Sequence, residues 1–76
     1  MNNERRKTLR SIKTGLEELS QKLDDVMNDE QMAFDNLTEG LQATARGTAM
    51  EEAIDNISSA IDCIDEAIEY IEEAEI

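Results

Sequence analysis

Carboxylates are the groups most able to do chemistry in this chain: 19 Asp and Glu stand against seven Lys and Arg, with no His and a single Cys. Adjacent pairs are frequent, among them Glu17/Glu18, Asp24/Asp25, Glu51/Glu52, Asp65/Glu66 and Glu72/Glu73. Paired carboxylates serve as general acid and base, or as metal ligands, when both point at one spot. On a helix, however, neighbours in sequence diverge by about 100° and do not face each other. Di-iron helical bundles require Glu-x-x-His motifs, which a chain without His cannot supply. The acidic run "DDVMNDEQMAFD" lacks the central Gly and terminal bidentate Glu of an EF-hand loop. No Ser, Thr or Cys has a His to activate it, and no Gly-rich loop follows a strand to cradle phosphate. The expectation is no catalysis, no metal and no cofactor.

The charge of −12 is unevenly spread. Arg5, Arg6, Lys7, Arg10 and Lys13 crowd the N-terminal end with only Glu4 among them, while residues 47–76 hold ten carboxylates and no cation. Phosphates would be repelled by most of this surface, so direct nucleic-acid binding is not expected. A basic protein partner is allowed, as is an anionic ligand held at the N-terminal end. Cys63 excludes an internal disulfide, and a lone thiol suits a reducing compartment. No apolar run has the length of a signal peptide or of a membrane span. The expected setting is the cytoplasm, with no membrane contact.

The elements that position these charges follow from apolar spacing. Leu9, Ile12, Leu16, Leu19, Leu23 and Val26 step by three and four, and so do Met50, Ile54, Ile57, Ile61, Ile64, Ile68 and Ile71. Both are heptad seams of helices that lie on other helices. The spacing predicts one domain over 1–76, with a helix at about 4–33, a connection at about 34–47 and a helix at about 48–75. Thr48 with Glu51 forms a candidate capping box for the second helix. Cations at the start of helix one and anions at the end of helix two oppose their own helix dipoles. An antiparallel hairpin relieves both, with the basic cluster free to pair with Asp62, Asp65, Glu69 and Glu72. Cys63 is expected half-buried beside the seam, Met27, Met32 and Met50 as packing near the tip, and Tyr70 as a solvated outer residue.

Ala53, Ala60, Ala67 and Ala74 form a second stripe, each immediately before a seam residue. Small side chains there admit a further helix. A lone hairpin of this size buries little apolar surface, and Ile at both seam positions favours higher-order bundles. The predicted fold is therefore all-α: a two-helix antiparallel hairpin that self-associates into a bundle, most simply a dimer. Its seam on helix two is Ile54, Ile57, Ile61, Ile64, Ile68 and Ile71.

Within the connection, "FDNLTEGLQATARGT", Arg46 is the only cation after Lys22. One reading has its guanidinium capping the last carbonyls of helix one, or pairing with Asp35 or Glu39, while Phe34, Leu37, Leu41 and Met50 pack beneath. The other reading is a functional tip, since helix connections usually run two to eight residues.

Nearly the whole chain, and "DEQMAFDNLTEGLQATARGTAMEEAIDN" most specifically, resembles small acidic proteins encoded by phages and prophages of Firmicutes. These often carry "NLPE" where Thr38 here gives "NLTE", a change that softens the turn. The resemblance implies a viral accessory protein that antagonises host immunity. The leading mechanism is an acidic decoy: Asp55, Asp62, Glu66, Glu69 and Glu73 mimic nucleic-acid phosphates and engage a basic host protein. The alternative is an oligomeric sponge for a nucleotide immune signal, resembling the helical anti-CBASS sponges in size, helicity and assembly. It would use Arg5, Arg6, Arg10 and Lys13, with Arg46 from a neighbour. A structural adaptor bridging other helices is the third reading.

Overall fold

In the computed structural model, which describes residues 1–76, the chain forms α1 (Asn3–Asp35), a single turn α2 (Glu39–Gln42) and α3 (Ala45–Ala74), with no strand. The two long helices lie antiparallel along a rod of 58 × 15 × 11 Å. Asn2 caps α1 by accepting from the Arg5 amide at 2.8 Å. Thr38 caps α2 through the Leu41 amide. No helix is long and apolar enough to cross a membrane.

The second helix begins at Ala45, three residues before the expected start, and its cap is Thr44 rather than Thr48. The Thr44 hydroxyl accepts from the Gly47 amide and donates to the Leu41 carbonyl, so one side chain serves the end of α2 and the start of α3. Thr48 instead donates its own amide to the Thr44 carbonyl as part of the helix. The connection is therefore an ordered clip and not an open loop.

Written as heptads abcdefg with a and d facing the other helix, α3 places Gly47, Ile54, Ile61, Ile68 and Glu75 at a. Met50, Ile57, Ile64 and Ile71 occupy d. All are half-buried except Gly47, which is the one fully buried residue of the chain. The Ile seam of this helix is where the spacing puts it. In α1 the half-buried ladder is Arg6, Lys13, Ser20, Met27 and Phe34 at a, with Leu9, Leu16, Leu23 and Glu30 at d, and Leu37 continues it just past the helix end. Ile12, Leu19 and Val26, read as seam residues, are displaced to g and stay about half exposed. Phe34 and Met27 decide this rotation at the tip, and Arg6 and Lys13 decide it at the open end. Keeping the expected phase would have placed Ala33 and Val26 where Phe34 and Met27 now pack.

Candidate functional site: an acidic flank

The basic cluster meets the end of α3, on Glu72 as expected and otherwise on Glu75 and the main chain of Ile76. Lys13 Nζ lies 3.0 Å from Glu72 Oε1, and Arg10 Nε lies 3.6 Å from Glu75 Oε2. Arg6 donates from Nε (3.0 Å) and Nη2 (2.6 Å) to the main-chain oxygen of Ile76. Of the others expected in these pairs, Asp62 and Glu69 stay outside because they sit on the outer b row, and Asp65 because it lies two turns below Glu72. Glu75 occupies a seam position and its second oxygen is shielded without a hydrogen-bond partner. The Lys13 ammonium is held above its ordinary value, first by its hydrogen bond to Glu72 and then by the attraction of that carboxylate.

Arg46 is not the tip's cap. It stands exposed in the first turn of α3, at the opposite end of the rod from Arg5, Arg6, Arg10 and Lys13, with no ion pair or hydrogen bond in its own hairpin. The capping role belongs to Gln42, whose amide Nε2 donates to the carbonyls of Phe34 and Leu37, both at 3.2 Å. A neutral amide suits this half-buried position, where a guanidinium would be costly to desolvate. Phe34, Leu37 and Met50 lie half-buried beside it, whereas Leu41 and Met32 turn outward.

Of the ten carboxylates in residues 47–76, only Glu72 and Glu75 are paired. The remaining eight are exposed and occupy positions b, e and f of α3. Asp55, Asp62 and Glu69 form the b row, and Glu66 and Glu73 belong to the f row beside it. The e row adds Glu51 and Asp65, which line two shallow grooves between the helices. The larger, about 290 Å³, has Ile61 and Ile68 as its floor and Glu17, Asp24 and Asp65 among its walls. The smaller, near the tip, brings Gln31, Phe34 and Ile54 together with Glu51 and Asp55. An apolar floor ringed by carboxylates fits the alkyl stem and cationic head of Lys or Arg.

The part of Glu17, Asp24, Asp65 and Glu51 in these grooves, like that of Gln42, was missed from sequence. Glu17 and Asp24 are seven apart, as is the interval from Glu51 to Ser58 to Asp65, so the signal was the heptad phase of α1. Cys63 is exposed and not half-buried, because it falls at position c, two steps round the helix from the seam. Tyr70 is an outer residue as expected. No family model, curated protein or solved structure matches the chain.

Proposed function

We propose that the protein acts by binding, using the acidic side of α3 and the adjoining grooves to hold a Lys- and Arg-rich protein surface. The carrying observation is the row of eight carboxylates between Glu51 and Glu73 that no cation of the chain neutralises. At ~1.5 Å per helical residue these span about 33 Å, or one charge per about 4 Å. A single DNA strand presents one phosphate per ~3.4 Å of axis. The helix therefore offers a nucleic-acid-binding protein a comparable charge density, and repels nucleic acid itself. Joined to the resemblance to phage accessory proteins, this makes the chain a decoy for a basic protein of host anti-phage immunity.

The nucleotide-sponge reading is less well supported. Arg6, Arg10 and Lys13 are engaged by the end of α3, and Arg46 lies at the far end of the rod. Calorimetric titration of the parent, an Asp55→Asn/Asp62→Asn/Glu69→Gln variant and an Arg5→Ala/Arg10→Ala variant separates the two. The probes are an Arg- and Lys-rich DNA-binding protein, with and without duplex DNA, and a cyclic dinucleotide. The decoy reading expects salt-sensitive binding of the protein, competed by DNA and weakened at least tenfold in the acidic variant. Nucleotide binding lost only in the arginine variant would overturn it.

A further inference from the structure

The carboxylates of α3 avoid one whole side of the hairpin. In α3 positions c and g hold Ala49, Asn56, Cys63 and Tyr70 beside Ala53, Ala60, Ala67 and Ala74, with no carboxylate. In α1 position g holds Ile12, Leu19 and Val26, which are 48%, 52% and 53% exposed. In an antiparallel pair of helices the two g rows flank the seam on the same side. The register set by Lys13 against Glu72, and by Asp24 near Ile61, brings these rows level. Ile12 stands level with Ala74, Leu19 with Ala67, Val26 with Ala60 and Ala33 with Ala53. Between Arg5 at one end and Arg46 at the other, the only charges on this side are Lys22 and Asp29, of opposite sign.

We propose that this side is the docking surface for a second copy of the chain, with the two-fold axis running along the rod. That rotation lays the branched row of each copy on the alanine row of the other at the same level, so the contact is self-complementary. It leaves every neighbouring pair of helices antiparallel and turns all the acidic rows outward. Arg46, unpartnered in its own hairpin, then lies near the level of the other tip's Asp35 and Glu39. The surface area points to a partner of the same size. A compact monomer of 8.6 kDa exposes about 4,700 Å², whereas this hairpin exposes 5594 Å². The surplus of about 900 Å² is close to the ~800 Å² that each partner contributes to a standard interface. No apolar side chain is fully buried in the single hairpin, and the second copy supplies the missing layer.

Sedimentation equilibrium of the full chain at micromolar concentration is expected to give about twice the 8.6 kDa chain mass. Leu19→Glu with Ala67→Glu, both outside the intramolecular seam, is expected to return a single-chain mass. Because that variant can also lose its fold, the parent is read independently by methyl NMR with a soluble paramagnetic agent. The methyls of Leu19 and Val26 are expected to be shielded as well as those of Leu16 and Leu23. A folded single-chain mass for the parent overturns the proposal, whatever else then covers the face. A double mass with Leu19 and Val26 bleached by the agent overturns it equally, because the copies then meet elsewhere.

Discussion

Gly47, in the first turn of α3, lies directly against the main chain of Gln42 at the end of α2. A Cβ built on Gly47 would meet the Gln42 carbonyl carbon at 2.6 Å and collide with its oxygen. Its φ is not positive, so the need for glycine here is steric. The close approach lets α2 fold back onto α3 and brings the Gln42 amide under the end of α1.

Gly47→Ala is accordingly expected to destabilise the hairpin by roughly 1–3 kcal/mol, the usual cost of forcing atoms into occupied space. Gly40→Ala is the control. Nothing lies within 4 Å of a Cβ at Gly40, and the loss of unfolded-chain freedom is expected to stabilise by about 0.4–1 kcal/mol. Urea unfolding followed by circular dichroism measures both.

Gln42→Ala removes a donor shared by two carbonyls, Phe34 and Leu37. The Phe34 carbonyl keeps the Leu37 amide as a donor, so the expected loss is about 0.5–1.5 kcal/mol. Arg46→Ala, which takes away no partner inside the hairpin, is expected to leave the unfolding midpoint of a dilute, single-chain sample unchanged. Equal losses for the two variants would show that the guanidinium shares the capping role.

Ser20 occupies a seam position opposite Ile61 and Ile68 and leaves the larger groove open above them. Ser20→Leu extends the apolar ladder and is expected to stabilise by about 1–2 kcal/mol. It should also narrow the groove and weaken capture of a basic probe there. Ile61→Asp places an unpaired charge in the same seam and is expected to unfold or dissociate the protein. Thermal melts of the two variants should move in opposite directions.

Lys13 carries the pH dependence that the structure supports. Its folded-state value is raised above 10.5 by Glu72, so its contribution is fully present below the ordinary ammonium value and is lost as pH rises through the raised one. The stability difference between the parent and Lys13→Met is expected to hold constant from about pH 7 to pH 9, and to shrink above pH 10.5. With the Lys13 side chain 31% and that of Glu72 51% exposed, the pH-dependent part of that difference is small. A difference that changes between pH 6 and pH 8 would place its origin elsewhere.

The Ile ladder of α3 was legible because the branched apolar residues of that helix fall on just two neighbouring rows, a and d. The rotation of α1 was not. Two adjacent rows, Leu9–Leu16–Leu23 and Ile12–Leu19–Val26, fit the three-four spacing together, and a single helix cannot say which neighbour takes which row. Met27 and Phe34 carried the missing information, since they share a phase with Lys13 and Ser20 and not with Ile12. The start of α3 was misplaced for a related reason. Thr44 and Thr48 are equally good caps, and Gly47 reads as a breaker unless the approach of Gln42 is known. The acidic rows were visible throughout, because whatever rotation the helices adopt, nine of the ten carboxylates of residues 47–76 fall away from the seam.

The two ends of the rod are closed by contacts of different reach. At the tip, Gln42 joins residues five and eight positions away; at the other end, Arg6 reaches across 70 positions to Ile76. Closing short loops costs the chain least, so the clip forms first and the helices zip from it toward the open end. The same geometry sets the mechanical response. Both ends of the chain lie together at the open end, so a force applied between them parts Arg6, Arg10 and Lys13 from α3 first. The seam then peels one heptad at a time, and the molecule yields gradually under low load instead of rupturing in a single event.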